Sequence, residues 1–461
     1  MIYLHPGDRA GRRNALRYTA RRKLKSTIRM EGLFLAQAQL VCLRCTYVML
    51  ADLDALYPSL DALYRDLHQH PELSLQEEET AKKMATRLRA LGFEVTERVG
   101  GFGVVGLLRN GSGPTLLVRT DLDALPVKEE TGLPYASMVT AKNEAGVVVP
   151  VMHACGHDVH MTAWVGAASL LTADKTKWKG SLFFVGQPAE EMLRGAPAMI
   201  ADGLFTRFPR PDFAIAIHDT ARLPSGQVGL AAGYAMAAVD TVDITIFGRG
   251  GHGAYPHATI DPIAIAARTI VALQTIVSRE VNPVDSAVIT VGSIHGGTKH
   301  NIIPDRVQLQ LTVRSFKPEV QKHLLAAIER IAKHESAAGR APKEPLVVAD
   351  PKQSGPALYN DPALVRRLQS ALAAELGEKQ VIEVEPVMGS EDFAAFGRAT
   401  GAPTALIWVG SAEPSAFAAA AASGQVLPAI HSPLFAPDRE RTIRTAASTL
   451  TICALDLLRA S

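Results

Sequence analysis

Between Phe102 and Ile217 the sequence repeats one pattern, a short unbroken apolar run followed at its C-terminal end by a cluster of polar residues. The runs Phe102–Leu108, Thr115–Arg119, Ser181–Val185 and Asp212–Ile217 lack the alternation of a strand with one wet face, so both of their faces must be covered. A helical stretch over Val159–Leu171 separates them, Pro403–Val409 adds another run, and a final helix is expected over about Arg441–Leu458. Strands buried on both sides and separated by helices predict an α/β domain built on a mostly parallel sheet. Two helices precede it. The first carries Leu53, Leu56, Leu60, Leu63 and Leu67 at three- and four-residue steps, and the second carries Ala81, Met84, Ala85, Leu88 and Leu91. Ser74 and Glu77 have capping-box spacing ahead of the second helix, and Gly92 suits the position just past its end.

A different order interrupts this domain. Thr241–Phe247 alternates, Asp261-Pro262 opens a helix to about Val277, and Ser286–Ile294 reads as a strand. Val307, Leu309, Leu311 and Val313 then alternate with polar residues, a helix follows from Pro318 to His334, and Pro345–Val348 closes the series. The order β-α-β-β-α-β predicts a ferredoxin-like α+β unit inserted over residues 238–350. The α/β domain is then discontinuous, 49–237 and 351–461, and a chain of 461 residues is long enough for both.

Composition excludes several classes. With 47% hydrophobic and 20% charged residues the chain is an ordinary globular one, and no apolar run approaches the roughly 18 residues of a membrane span. Residues 1–48 hold ten Lys/Arg against Asp8 and Glu31, an excess of +8 in a chain of net charge +2, which leaves −6 for the remainder. A body of that sign offers no electrostatic footprint for nucleic acid. Four cysteines are too few for a disulfide scaffold and point to a reducing, cytoplasmic setting. The basic segment can be read as a signal peptide, as an Arg-rich transit peptide of an exported or organellar protein, or as an extension upstream of a start at Met49. Cys42 and Cys45 have redox or zinc spacing without a second pair.

The chemistry is expected where the strands end. Leu116–Arg119 leads to Asp121 and Asp123, Val151-Met152 to His153, Cys155 and His157, Phe183–Val185 to Glu190 and Glu191, and Ala214–Ile217 to His218. Ligand sites of open parallel sheets gather at the carboxyl ends of the strands, so these clusters can meet. Thiolate, imidazole and carboxylate together are the ligands of Zn²⁺, Mn²⁺ and similar ions. Glu190-Glu191 reads as a carboxylate that binds metal beside one that moves a proton, or as a solvated acidic pair opening a helix.

Eight separated motifs, LHQHPELS, RTDLDALP, HACGHD, QPAEE, GRGGHGAYPH, HNIIPD, MGSEDF and HSPLFAPD, resemble those of the hippurate hydrolase and auxin-conjugate hydrolase branch of the aminoacylase and carboxypeptidase superfamily of metallopeptidases. The resemblance runs from about Leu53 to the C-terminus and leaves residues 1–48 outside. It implies a catalytic domain holding two divalent metal ions, Mn²⁺ or Zn²⁺ with Ni²⁺ or Co²⁺ as further options, and an inserted lid that also forms a homodimer. Cys155, His157, Glu191, His218 and His431 match the family's metal ligands and Glu190 its general base. Asp121 matches an aspartate that in the wider superfamily follows a metal-binding His by two residues. Here that earlier position is Arg119, which implies that Cys155 compensates as a bridging thiolate. Asp121 then orients a ligand imidazole, or only caps the turn after its strand. His252 matches a histidine that polarises the scissile carbonyl, in some dimers from the partner subunit. Asn301 and Arg314 match positions suited to the substrate's carboxylate, although the alternation around Arg314 equally suits a solvent-facing strand residue.

The implied function is hydrolysis of N-acyl-amino acids, such as hippurate or acetyl- and indoleacetyl-amino acids, to a carboxylic acid and a free amino acid. The metal ions would acidify a water, and Glu190 would take its proton and pass it to the leaving amine. A dipeptidase or carboxypeptidase would share this chemistry, whereas a non-catalytic binding protein would have lost the base or a ligand. Lys142–Val149, Asp219-Thr220 and the alanine run Phe417–Ala422 depart from the family pattern and bear on the pocket walls.

Overall fold

In the computed structural model, which describes residues 52–459, the apolar runs of the first domain form one eight-stranded sheet. Its centre is the parallel set Gly180–Gln187, Thr115–Asp121, Phe213–Pro224 and Thr404–Ala412, in that spatial order. Antiparallel strands extend it, Gly103–Asn110 and Glu94–Val99 on one side and Val228–Leu230 on the other. Both faces are covered, which explains the unbroken apolar runs. Leu116 and Val118 face a core shared with the helices His157–Ala173 and Arg439–Leu457, while Leu117 faces the opposite core with Phe183 and Met199. Trp164 locks one helix to the sheet by donating its indole N–H to the Val118 carbonyl at 3.0 Å. Residues 1–48, with Cys42 and Cys45, lie outside the described residues.

The helix over 52–69 buries Leu60, Leu63 and Leu67, as its stripe requires. The helix Glu78–Ala90 ends as expected, with Gly92 at φ +83° and the amides of Gly92 and Phe93 closing on the carbonyls of Arg89 and Leu88. Its start differs from the capping box. Glu72 accepts the amides of Glu79 and Thr80, and the Ser74 hydroxyl donates to Asp123 at 2.6 Å, so tertiary partners replace the local cap.

The inserted unit is a four-stranded antiparallel sheet in the order Ala287–His295, Arg306–Ser315, Ala238–Phe247, Leu346–Gly355. This is the ferredoxin-like arrangement. The helices Pro262–Thr275 and Pro318–Ala338 pack on the face formed by Val242, Ile244, Val307, Leu309 and Leu311. The last strand runs on to Gly355, past the expected Pro345–Val348. Thr241, Thr312 and Arg314, on the other face of the sheet, line a cleft of about 820 Å³ shared with the first domain. Among the described residues no helix is long and apolar enough to cross a membrane.

Candidate metal centre

Three of the four expected clusters lie on or just after strands of the central sheet, although His218, expected beyond a strand end at Ile217, sits inside Phe213–Pro224 and pairs with Trp408. The fourth does not: Val151-Met152 is no strand of that sheet, since Val148–Pro150 pairs only with Thr140–Lys142 in a separate hairpin and Met152 bridges Leu125. Cys155 and His157 come instead from the turn into the helix His157–Ala173. Gly156 makes that turn at φ +75°, and a Cβ on it would lie 2.2 Å from an Asp219 carboxylate oxygen, so only glycine fits.

The turn and the strand ends converge. Cys155, His157 and His218 offer ligand atoms within 4.8 Å of one another, as do Cys155, Glu191 and His431, and His157, Glu190 and Glu191. Cys155 Sγ stands between the groups, 3.5 Å from His218 Nε2 and 3.2 Å from His431 Nε2. His431 Nε2 lies 3.4 Å from Glu191 Oε1, and His157 Nε2 lies 3.9 Å from a carboxylate oxygen of both Glu190 and Glu191. His431, on a distant loop, is brought in by its own amide, which donates to the Ala154 carbonyl at 2.7 Å while its φ is +68°.

The imidazoles are fixed in the tautomer a metal needs. His157 Nδ1 donates to the Asp123 carbonyl at 2.7 Å and His218 Nδ1 to the Asp219 carbonyl at 2.8 Å. A carbonyl only accepts, so each Nδ1 carries a proton and each Nε2 faces the cluster, the nitrogen that would bind a cation. Among the described residues, His157 Nε2 and Glu191 Oε1 are buried without a hydrogen-bond partner. Orphaned acceptors are rare in folded proteins, and here they aim at a space ringed by thiol, imidazole and carboxylate. That donor set fits divalent metal ions.

Burial pushes the Cys155 thiol well up, and the charges of Glu191 and Glu190 add to it. Burial likewise holds Glu190 well above the carboxylate range, with Glu391, Glu191 and Asp392 contributing. His218 is held down by burial and by the neighbouring His160. Added cations would relieve the first two effects by stabilising thiolate and carboxylate, while the lowered His218 stays neutral, the form that can bind a metal.

Asp121, expected to orient a ligand imidazole, holds a different ring. Its Oδ1 accepts from His160 Nδ1 at 2.8 Å and its Oδ2 from Arg119 at 2.8 Å, while its Oδ2 is 3.6 Å from His157 Nε2. The orienting acceptor of His157 is the Asp123 carbonyl. Sequence reasoning missed His160, whose Nε2 accepts the Asp219 amide at 2.9 Å, and the buried fan in which Arg119 reaches Asp121, Gln187 and Glu391. The signal for Arg119 was a charge inside an otherwise apolar strand.

The substrate-binding candidates divide. Arg314 lines the cleft and donates through Nη1 to the Met388 carbonyl at 2.7 Å and to Ser390 Oγ at 3.3 Å. His252 and Asn301 do not line it. They sit on the lid at a two-residue ladder, Gly251–His252 against Ile302–Ile303, where His252 is exposed and its Nδ1 accepts the Ala254 amide at 3.0 Å.

Residues 117–423 match Peptidase family M20/M25/M40. The chain is 40% identical over 346 residues to N-acetyl-L-cysteine deacetylase of Bacillus subtilis, covering 75% of this chain and 79% of that one. It is 39% identical over 340 residues to hippurate hydrolase of Campylobacter jejuni, covering 73% and 84%. Among solved structures, a Bacillus subtilis protein described as a dinuclear metal-binding peptidase of the M20 family aligns with a TM-score of 0.71 at 31% identity, over 88% of this chain and 99% of that one. The chain therefore belongs to peptidase family M20/M25/M40, in its amidohydrolase and aminoacylase branch, and is an enzyme that hydrolyses amide bonds.

Proposed function

We propose that this enzyme cleaves N-acyl-amino acids to a carboxylic acid and a free amino acid, with two divalent ions, Mn²⁺ or Zn²⁺, held by Cys155, His157, Glu191, His218 and His431. The observation that carries this reading is one cleft with the thiol, imidazole and carboxylate cluster on one wall, buried Glu190 beside it, and the Arg314 guanidinium on the lid side. When bound, the ions supply Lewis acidity to the attacking water and the scissile carbonyl. Glu190 takes the proton of that water and hands it to the leaving amine, a double task suited to a carboxylate whose pKa its surroundings raise. Arg314 presents a planar fork to the carboxylate of the amino-acid half. The buried charge of Arg119 works against the rise at Glu190 and keeps its carboxylate within reach of both tasks. His252 and Asn301 lie outside the cleft of their own chain, which supports a homodimer through the lid in which they complete the cleft of the other copy.

The test is a substrate panel of hippurate, N-acetyl-amino acids, indoleacetyl-amino acids and unblocked dipeptides, with release of free amino acid as the readout. Activity on acylated substrates, lost on chelation and regained with Mn²⁺ or Zn²⁺, is expected. Turnover that survives exhaustive chelation sinks the metal assignment, and preference for unblocked dipeptides moves the enzyme to the dipeptidase side of the family.

A further inference from the structure

Glu190 and Glu191 follow the strand Gly180–Gln187 through Pro188 and Ala189, and Ala189 is strained. It is fully buried with φ +49°, a left-handed conformation that costs an L-residue about 1–2 kcal/mol. Something must hold it there. Its amide donates at 2.8 Å to Oε1 of Glu77, a residue 112 positions earlier in the chain. The same oxygen accepts the amide of Leu75 at 2.9 Å, itself left-handed at φ +68°. On the far side of Glu190, the Glu191 amide donates to Asp123 Oδ2 at 3.1 Å. The backbone on either side of the base is thus tied to two buried carboxylates, through the Pro188–Ala189 and Glu190–Glu191 peptides.

Beyond its bond to the Leu75 amide, Glu77 serves no local cap. It is 0% exposed, its side chain makes no cap to the helix Glu78–Ala90 that it precedes, and it does not line the cleft. A buried carboxyl with one oxygen unpartnered among the described residues is unfavourable for folding, and such groups concentrate where strain serves a site. Burial and the neighbouring Asp123 hold its pKa up, to about 8.

We propose that Glu77 is a positioning residue, whose carboxyl holds the left-handed turn at Ala189 and so aims Glu190 and Glu191 at the metal cluster. This rests on the assignment of Glu190 as base and Glu191 as ligand. Four variants of the metal-loaded, full-length enzyme test it: E77L, E77Q, E77D and E77L/A189G. Displacing a catalytic group by about 1 Å costs on the order of 100-fold, so E77L is expected to lose about 30- to 100-fold in kcat with KM within about threefold. E77Q, which keeps an acceptor oxygen in place, recovers most of that loss. E77L/A189G regains about tenfold over E77L, because glycine adopts the turn without the penalty. Hydrogen exchange over residues 187–195 accelerates in E77L and returns in E77Q, a readout independent of turnover. Should E77L not fold, E77D, which withdraws the carboxyl by one methylene, shows the same exchange change and a smaller kcat loss. A folded E77L or E77D with wild-type kcat and wild-type exchange over 187–195 overturns the proposal, as does a double variant no faster than E77L. E190Q is the control: inactive E190Q beside active E77L rejects Glu77 alone, whereas active E190Q rejects the base assignment itself.

Discussion

His68 gives the sharpest stability prediction. Its ring is 1% exposed, with Nδ1 2.6 Å from Asp158 Oδ2 and Nε2 3.1 Å from Glu129 Oε1. Carboxylates only accept, so both ring nitrogens carry protons. Burial alone would lower the pKa of this imidazole, but hydrogen bonds to Asp158 and Glu129 lift it from 6.5 to about 10. Replacing His68 by leucine leaves two buried acids without their cation. At about 1.4 kcal/mol per pH unit the shift corresponds to about 5 kcal/mol, and removing one partner of a buried pair costs about 3–5 kcal/mol, so about 4 kcal/mol is expected. Spread over roughly 400 ordered residues, that lowers Tm by about 5 °C. The sign with pH follows from the raised pKa. The contribution is complete below pH 6.5, falls as pH rises, and is gone above about 10. Denaturant unfolding of wild type and H68L at pH 6, 8 and 9.5 is the assay, with the gap largest at pH 6. A gap under about 1 kcal/mol at pH 6, or one that widens toward pH 9.5, refutes the reasoning.

Four further outcomes are expected. Glu190→Gln lowers kcat by about 10²- to 10⁴-fold with metal content unchanged by elemental analysis, and a near-normal rate rejects the base. Gly156→Ala forces a Cβ against Asp219 in a left-handed turn, so metal stoichiometry falls and the protein loses about 2–4 kcal/mol in thermal or denaturant melts. Arg119→Met leaves Asp121, Glu391 and Asp392 without their buried cation and costs about 3–5 kcal/mol in the same melts. Arg314→Ala raises KM for acylated amino acids about tenfold or more with a smaller change in kcat, and an unchanged KM removes it from the carboxylate site.

The parallel core was legible because strands buried on both faces must be continuously apolar, and the Asp121 and Glu190-Glu191 clusters because polar residues at the ends of such runs gather at one edge of the sheet. The lid was legible for the complementary reason, since Val307, Leu309, Leu311 and Val313 alternate on a sheet covered on one face only. What stayed hidden depends on partners far apart in sequence. Ser74 and Glu77 have the spacing of a local cap, yet Ser74 donates to Asp123 and Glu77 accepts from Ala189 besides nearby Leu75, partners that no local rule anticipates. Val151-Met152 reads as a strand because two apolar residues precede the Cys-His cluster, and only the paired hairpin shows them to be a loop. His160 lies one helical turn past His157 in a helix apolar on all sides, where a buried histidine gives no periodic signal until Asp121 and Asp219 are seen beside it.

Arg119 and Cys155 are best understood together. The carboxylates Asp121, Glu190, Glu191, Asp219, Glu391 and Asp392 crowd the end of one sheet, and such a set is unstable unless cations neutralise it. Arg119 supplies a permanent charge on the Asp121, Glu391 and Asp392 side, with bonds of 2.8 Å to the first two. That guanidinium cannot act as a metal ligand, since it has donors and no lone pair to offer. On the opposite side Cys155 lies within reach of both His218 and His431. Burial first, and then the charges of Glu191 and Glu190, hold its thiol protonated, so under the proposed assignment metal binding would be coupled to loss of that proton. A strand position that reads as a misplaced charge is thereby the buried counter-ion of the acids on its side of the cluster.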